Sequence, residues 1–248
     1  MPASSTSDPP LGSAGSPGAE TVAVVIPALN EAESIGQVIA ALPRALLDVI
    51  IVADGGSTDG THEIARGAGA DVIIVGPGYG RACLAGAEAA STADILVYMD
   101  GDGADDPSAI GDMVSALGSG RYDFVIGSRV RGKREPSSMA AHQVLAGMVM
   151  GGLIGMLYGV RYTDMGAFRA IRRTTLLRLG MRELTYGWNL EMQMRAARSG
   201  LRILEIPVSY RRRRAGRSKV AGNFRGTFKA AARIFATFVR VAAETNSR

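Results

Sequence analysis

The stretch ILVYMDGD, residues 95–102, joins a short apolar run to two aspartates separated by one glycine. It belongs to a series of five apolar runs, at residues 22–26, 49–53, 72–75, 95–99 and 124–126. The segments between these runs are plausible helices, at residues 31–42, 60–69, 80–91 and 107–117. Short apolar strands that alternate with helices predict an α/β fold with a mostly parallel central sheet flanked by helices. Asn30 is predicted to cap the first helix, with Glu33 reaching back from three positions later.

Polar or glycine-rich segments follow four of these runs, at the point where each strand is expected to end. They are PALNE (27–31), DGGSTDG (54–60), GPGYGR (76–81) and DGD (100–102). In open α/β sheets, ligands bind beyond the carboxyl ends of the strands. We therefore expect these four loops to meet at one edge of the sheet and to form the binding site.

Asp100 and Asp102 are the candidate metal ligands. Two carboxylates one residue apart repel each other, so the arrangement is favourable chiefly when a cation lies beside them. Mg²⁺ or Mn²⁺ is usually held by one or two carboxylates together with substrate phosphates. The alternative is a surface turn that precedes a helix beginning near Asp106.

Two further loops have a binding and a structural interpretation. Asp54 ends the second strand and either contacts a nucleoside or forms a turn into the next helix. GPGYGR opens a helix with backbone N–H groups and the Arg81 guanidinium, which together suit an anion.

His62 and His142 lack partners at a catalytic or metal-binding spacing, so both are predicted to be structural. No Ser/His/Asp arrangement or Cys/His cluster supports a hydrolase or a zinc enzyme.

Charge is distributed unevenly along the chain, although the net charge is only +5. From Arg172 onward there are 18 basic and four acidic residues, whereas the preceding part has a net charge of −9. The segment RRRRAGRSK, residues 211–219, holds six cations in nine positions, a density that suits phosphate or anionic lipid. It lacks interleaved aromatic residues and any nucleic-acid-binding module, so no nucleic-acid partner is expected.

The domain organisation follows from composition. Residues 1–20 are rich in Pro, Ser, Gly and Ala and lack the apolar core of a signal peptide, which predicts a disordered leader. Residues 21–223 form one domain, and 224–248 are predicted to contain a basic amphipathic C-terminal helix that lies on a membrane or packs on the domain. Residues 144–160 carry no charge but contain five glycines, which favours a buried or interfacial helix over a membrane span. The single cysteine, Cys83, is expected in the core.

The order and spacing of these motifs, from Val22 to about Asn223, resemble glycosyltransferase family 2, and within it the dolichyl- or polyprenyl-phosphate mannose synthase group. The motifs are IPALNE (26–31), DGGSTDGT (54–61), GYGRA (78–82), DGD (100–102), GSR (127–129) and RRAGRSK (213–219). Two departures stand out. Gly55 follows Asp54 where the family often has a second aspartate. The segment DMGAFR (164–169) is one residue shorter than the family's usual Asp-x-x-x-Gly-Phe-Arg.

The resemblance implies a GT-A fold and an enzyme that uses Mg²⁺ or Mn²⁺. It would transfer mannose or glucose, with inversion, from GDP-mannose or UDP-glucose to a polyprenyl or dolichyl phosphate. The implied donor-binding residues are Pro27, Asn30, Glu31, Asp54, Gly80, Arg81, Asp100 and Gly101. The implied metal ligands are Asp100 and Asp102, and the implied catalytic residues are Asp102, Arg129 and Asp164. The implied acceptor-phosphate residues are Arg129, Arg213, Ser218 and Lys219.

The same resemblance implies a cytoplasmic protein that is peripheral on the inner face of the membrane, with a membrane protein as a further candidate partner. Two alternatives stay open. A family 2 transferase that acts on a sugar or small-molecule acceptor would need a carboxylate base, and Asp164 and Glu191 are the candidates. A non-catalytic membrane-surface adaptor that retains the fold is the other alternative. A phosphate acceptor is already anionic at neutral pH and requires no strong base.

Overall fold

A computed structural model describes residues 20–213 and 224–244. The predicted leader, apart from Glu20, lies outside the described residues, and so do Ser218 and Lys219. The strands are β1 Val22–Ala28, β2 Val49–Asp54, β3 Asp71–Ile74, β4 Ile95–Tyr98, β5 Phe124–Ser128, β6 Arg169–Arg172 and β7 Ile203–Pro207. The α-helices are α1 Ala32–Ala40, α2 Thr61–Gly67, α3 Tyr79–Ala89, α4 Ile110–Gly118, α5 Ala141–Tyr158, α6 Arg173–Leu179, α7 Trp188–Arg198 and α8 Phe224–Ala243. Short 3₁₀ turns lie at Arg44–Leu46 and Pro107–Ala109.

The seven strands form one sheet in the order β3-β2-β1-β4-β6-β5-β7. Every strand pair is parallel except the two made by β6, which is antiparallel to β4 and β5. The predicted α/β fold with a mostly parallel sheet is therefore confirmed. Successive residues of β1 enter different core clusters, since Val24 packs with α1 and Val25 with α3 and α7. Both faces of the sheet are thus covered by helices. Cys83 is buried in α3, as expected.

The antiparallel strand β6 did not stand out in the sequence because two of its four residues are arginines. Arg169 is nevertheless fully buried. Its guanidinium donates to the carbonyls of Gly166, Ala167 and Asn189, and it lies 5.9 Å from the centroid of the Phe124 ring. A buried charge is tolerated when its hydrogen bonds are satisfied, so this strand combines a core position with a residue type that usually indicates the surface.

The start of α1 differs from the prediction. Asn30 adopts a left-handed conformation with φ of 50°, and its side chain accepts a hydrogen bond from the backbone N–H of Thr58. The side chain of Asp59 accepts the first helical N–H, that of Ala32. The prediction that Asn30 caps α1 was wrong, because the side chain of Asn30 instead links the loop after β1 to the loop after β2. The helix is capped from a neighbouring loop.

Helix α5 lies on the surface of the domain. Only Gly151 and Ile154 are buried, and it is the one helix in the described part of the chain that is long and apolar enough to cross a membrane. Its contact with the domain is close at one point: a Cβ on Gly151 would lie 2.0 Å from the carbonyl oxygen of Tyr162. The Tyr162 hydroxyl in turn donates to the carbonyl of Gln193 in α7. A wide apolar face of α5 therefore remains exposed.

Helix α8 packs on α7, and Ala230, Thr237 and Val241 are its buried side chains among the described residues. Its last turn is joined to α7 by ion pairs between Glu244 and two arginines, Arg195 and Arg198. The opposite side of α8 exposes Phe235, whose side chain is 66% accessible. One face of the predicted amphipathic helix is thus part of the folded domain.

Replacing Gly151 with alanine tests the docking of α5. We expect Gly151→Ala to lower the free energy of unfolding by about 1–3 kcal/mol, because the new methyl group meets the backbone of residue 162. Gly152→Ala is the matched control, since a methyl group at that position would meet no atom within 4 Å beyond its own helix. The control should be neutral or stabilising by up to about 1 kcal/mol, because alanine favours helix more than glycine does. Urea denaturation measures both, and equal effects would contradict this packing.

Candidate functional site

The loops that follow β1, β2 and β4 meet at the carboxyl edge of the sheet. The backbone N–H of Gly55 donates to the carbonyl of Ala28 at 2.8 Å, which joins the first two loops. The Ser34 hydroxyl at the start of α1 donates to the carbonyl of Gly101 at 2.8 Å and joins the loop after β1 to the loop after β4. These hydrogen bonds bring the loops after β1, β2 and β4 together at one edge of the sheet.

Residues 100–106, called the metal loop below, begin where β4 ends. Asp102 is buried, and its Oδ1 accepts the backbone N–H of Ala104 at 3.0 Å. Asp100 accepts a hydrogen bond from the Tyr79 hydroxyl at 3.3 Å. Burial raises the pKa of Asp100 to about 6, and the neighbouring charge of Asp102 adds to the effect. A cation beside these two carboxylates would favour their ionised forms.

The donor set of the metal loop fits Mg²⁺ or Mn²⁺, which prefer carboxylate oxygens. Over residues 20–213 and 224–244, no group of three or more His, Cys, Asp or Glu side chains is placed to hold a metal. A site with two carboxylates leaves the remaining positions to water and to the phosphates of a ligand. The observed geometry thus suits an ion that binds together with a diphosphate.

Asp105 is a residue of this cluster that the sequence interpretation missed. It is 4% exposed, and its Oδ2 accepts the backbone N–H of Asp100 at 3.3 Å. Burial raises the pKa of Asp105 to about 8, with further contributions from the charges of Asp100 and Asp102. Asp106 instead accepts the N–H of Ser108 and caps the 3₁₀ turn. Nothing in the sequence DGDGADD distinguishes the aspartate that turns inward from the one that caps.

Arg129 and Asp164 form a rigid pair beside the metal loop. The guanidinium of Arg129 donates from Nε and Nη2 to the two carboxylate oxygens of Asp164, both at 2.7 Å, and the backbone N–H of Arg129 donates at 2.9 Å. Although burial opposes ionisation, the hydrogen bonds from Arg129 hold the pKa of Asp164 below its usual range. The guanidinium also lies 5.0 Å from the centroid of the Tyr210 ring. Asp164 therefore fixes the orientation of Arg129.

The structure shows the turn predicted at Asp54. Its Oδ1 accepts the N–H groups of Gly56 and Ser57 and the Ser57 hydroxyl, which forms the turn. Its Oδ2 is buried and has no hydrogen-bond partner among the described residues. His62 lies nearby, with Nδ1 3.4 Å from Oδ2, a juxtaposition that the spacing of the two residues did not suggest. One carboxylate oxygen of Asp54 thus serves the turn, and the other lies buried beside His62.

The remaining donor candidates occupy the first and third loops. Pro27 lies near the end of β1, and the backbone N–H of Glu31 donates to the Thr61 hydroxyl at 2.8 Å. The N–H of Arg81 donates to the carbonyl of Leu184 at 3.0 Å, so this amide is not free for an anion. A Cβ on Gly80 would lie 2.2 Å from the Glu183 carbonyl oxygen, which requires glycine there.

The segment around Glu183 is a second feature that the sequence did not reveal. The Glu183 carboxylate is buried and accepts hydrogen bonds from the Thr185 backbone and hydroxyl and from Thr237 and Arg233 of α8. Its carbonyl oxygen faces Gly80 at the start of α3. Helix α8 is thereby joined through Glu183 to the loop that was predicted to bind the donor.

The basic segment begins at the site. Residues 210–213, called the strap below, run along the metal loop: the N–H of Arg211 donates to the carbonyl of Ala104 at 2.9 Å. The Arg213 Nε lies 2.9 Å from Oδ2 of Asp102. A cleft of about 350 Å³ opens beside the strap, and Lys133, Arg134 and Arg211 contribute cations to its lining. Arg129 and Arg213 of the predicted acceptor set therefore both lie close to the metal loop.

The family is established by a match of residues 23–180 to the model of glycosyl transferase family 2. The match covers more than half of the chain, and the chain belongs to this family. It is a glycosyltransferase, as predicted from the order of the motifs.

Several relatives are similar over most of their length. An uncharacterized glycosyltransferase of Mycobacterium tuberculosis is 37% identical over 211 residues, which cover 84% of this chain and 93% of the relative. The undecaprenyl-phosphate mannosyltransferase of Micrococcus luteus is 32% identical over 228 residues, covering 83% and 89%. The polyprenol monophosphomannose synthase of Mycolicibacterium smegmatis is 28% identical over 219 residues, covering 81% of each.

The fold is also found in solved structures. The glucosyl-3-phosphoglycerate synthase of Mycobacterium tuberculosis, crystallised with Mn²⁺, UDP-glucose and phosphoglyceric acid, superposes with a TM-score of 0.69 at 24% identity. The likeness covers 92% of this chain and 82% of that protein. It concerns the fold alone and confirms the predicted GT-A architecture.

The buried carboxylates make a prediction about pH. The pKa of Asp105 in the folded protein, about 8, lies above its usual value of 3.8, so its stabilising contribution is complete below about pH 4 and is lost as the pH rises through about 8. Asp105→Asn stays neutral and can still accept the N–H of Asp100. In EDTA, we expect this variant to gain stability relative to wild type as the pH rises from about 5 to 8, by roughly 3–4 kcal/mol. Urea denaturation at several pH values measures the difference, and parallel curves would refute the assignment.

Proposed function

We propose that the protein transfers a hexose, mannose or glucose, from a nucleotide-diphosphate sugar to a polyprenyl phosphate at a membrane surface, with inversion at the sugar. A hydroxyl acceptor would need a carboxylate base, and Asp164 and Glu191 are the two candidates. The observation that carries the proposal is that both carboxylates are already bound by other groups of the protein. Asp164 and Glu191 are both fully engaged in buried hydrogen bonds and ion pairs. Neither is placed to remove a proton from an acceptor.

The engagement of Glu191 is extensive. Its carboxylate is completely buried and accepts the backbone N–H groups of Arg182 and Glu183, and it contacts Arg195 and Arg240 at 3.0 Å each. Glu191 therefore holds α7, α8 and the 182–183 segment together. An acceptor that is already anionic needs no base, and a phosphate satisfies that condition.

The acceptor phosphate is proposed to bind between Arg129 and the basic segment. Asp164 uses Nε and Nη2 of Arg129, so the guanidinium is fixed in orientation before an acceptor arrives. A preorganised guanidinium loses little entropy when it binds phosphate, which favours both affinity and alignment. Arg213 contacts Asp102 of the metal loop. Ser218 and Lys219 complete the proposed phosphate site by the motif alone, since they lie outside the described residues.

The donor is proposed to bind across the loops at the carboxyl edge. Asp100 and Asp102 would hold Mg²⁺ or Mn²⁺, and the ion would stabilise the charge that develops on the departing nucleoside diphosphate. The Oδ2 of Asp54, which makes no hydrogen bond among the described residues, would accept one from the nucleoside. The first and third loops, with Asn30, Glu31, Gly80 and Arg81, would enclose the rest of the donor.

The relatives support the acceptor class. One of them is named for undecaprenyl phosphate and the other for polyprenol monophosphomannose, and both align with more than four fifths of this chain. The crystallised neighbour with Mn²⁺ and UDP-glucose supports a divalent ion and a nucleotide sugar. The choice between GDP-mannose and UDP-glucose is an outcome of the experiment below.

A direct comparison of acceptors tests the function. The protein is incubated with Mn²⁺, radiolabelled GDP-mannose or UDP-glucose, and either undecaprenyl phosphate or undecaprenol. We expect label in an acid-labile, organic-soluble product with the phosphate and none with the alcohol, because Asp164 and Glu191, the two candidate bases, are both held in other contacts. Asp102→Asn should lower the rate at least about 100-fold, since removal of a metal ligand costs at least as much as removal of its supporting contacts. Labelling of undecaprenol, or of neither acceptor with either donor, would refute the proposal.

Membrane contact is proposed for the exposed face of α5. The apolar side chains of Leu145, Met148, Val149, Met156 and Leu157 are each at least half exposed, and no Lys, Arg, Asp or Glu interrupts the helix. Cations flank it, with Lys133 and Arg134 before its start and Arg161 after its end. A helix of this kind suits the boundary between headgroups and acyl chains, where a lipid phosphate would be found. A cytoplasmic, peripheral location follows as part of the same proposal.

Paired substitutions test the membrane surface. Met156→Glu places a charge on the exposed face of α5, where the side chain is 78% accessible, and should weaken binding to phosphatidylglycerol-containing vesicles about tenfold. Leu177→Glu is the control, because Leu177 is 53% exposed but lies on α6. Vesicle flotation measures both variants. Equal binding by the two variants would show that α5 does not contact the membrane.

A further inference from the structure

Arg213 forms an ion pair with Asp102, one of the two proposed metal ligands. Its Nε lies 2.9 Å from Oδ2 of Asp102, whose side chain is 3% exposed, whereas the arginine side chain is 36% exposed. This oxygen has no hydrogen bond of acceptable geometry among the described residues, so the contact is ionic rather than directional. The other oxygen of Asp102 is held by the N–H of Ala104. The side of Asp102 that remains for a metal is therefore the side that Arg213 covers.

The strap determines where this guanidinium lies. The Arg211 N–H bonds to the Ala104 carbonyl, and Tyr210 forms a bridge with Asp105, so the backbone of the strap follows the metal loop. These contacts are made by the backbone before residue 213. The Arg213 side chain can consequently leave Asp102 while the strap stays in place.

We propose that Arg213 and the divalent cation exchange at Asp102, and that the exchange prepares the acceptor site. A guanidinium and a divalent ion on the same carboxylate oxygen would repel each other strongly in this buried setting, so one must leave when the other binds. Binding of the cation with the donor displaces Arg213 from Asp102 and frees it for the acceptor phosphate. The inference rests on the proposed function, which supplies the cation and the phosphate.

Arg129 and Arg213 then have different tasks. Arg129 is fixed permanently by Asp164, and its orientation does not depend on the cation. Arg213 is committed to Asp102 until the cation arrives, so the phosphate site is complete only in the metal-loaded protein. The expected order is metal and donor first, acceptor second. By thermodynamic reciprocity, a phosphate that captures Arg213 also tightens cation binding.

Metal affinity in two arginine variants tests the exchange. Mn²⁺ binding to the full chain is followed by electron paramagnetic resonance in the absence of acceptor, with and without UDP. Arg213→Gln should bind Mn²⁺ up to about fivefold more tightly than wild type, the range for loss of a competing, partly exposed ion pair. Arg211→Gln is the matched control, because it removes the same charge from the same strap but contacts Asp106 rather than Asp102. Its Mn²⁺ affinity should equal that of wild type.

A second readout follows the guanidinium itself. The Nε–Hε resonance of Arg213, assigned by its loss in Arg213→Gln, should shift as diamagnetic Mg²⁺ is added with UDP, at the same concentrations that saturate the metal site. In Asp102→Asn, the resonance should already lie near its metal-loaded position. If wild type binds the cation but the resonance does not move, or both arginine variants gain affinity equally, the exchange is wrong and the proposed function stands. If wild type binds no cation with UDP and none with GDP, both are wrong.

Discussion

The constraint on which the site depends is the concentration of negative charge where β4 ends. Asp100, Asp102 and Asp105 lie within six residues, and the last two are buried. Water cannot solvate these carboxylates fully, so each must be protonated, hydrogen-bonded or paired with a cation. The surroundings provide these means: the Tyr79 hydroxyl donates to Asp100, and Arg213 pairs with Asp102. The proposed binding of a divalent ion would depend on this concentrated negative charge, because a neutral site would have little affinity for a cation.

The support of the site extends to the C-terminal helix. Glu183 receives hydrogen bonds from α8 on one side and presses its backbone against Gly80 on the other. Glu191 joins α7 to α8 through Arg195 and Arg240. Removing one partner from such a buried ionic network leaves a charge without compensation, so the network acts as a unit. Helix α8 therefore supports the glycine-rich loop at the start of α3, although its sequence suggests a separate amphipathic segment.

The two arginines near the metal loop illustrate how environment separates similar residues. Arg129 has a bidentate carboxylate partner and an aromatic ring, which together fix a planar guanidinium. Arg213 has an ionic contact at a partly exposed position, which is easily exchanged. The carboxylate of Asp164 cannot serve as a base while it holds Arg129. The same ion pair that orients the arginine therefore argues for an acceptor that brings its own negative charge.

The GT-A fold was implied by the resemblance to a known family, whereas the residue patterns alone predicted the alternation of strands and helices and the convergence of loops on one edge. Those features depend on local periodicity and on the rule that parallel strands end at the same edge. The tertiary structure alone decided that β6 runs antiparallel through a buried arginine, that Asn30 serves a neighbouring loop, and that Asp105 turns inward. It also decided that Asp164 pairs with Arg129 across 35 residues and Glu191 with Arg240 across 49. These outcomes depend on which side chains meet in space, and a spacing read along one chain does not contain that information.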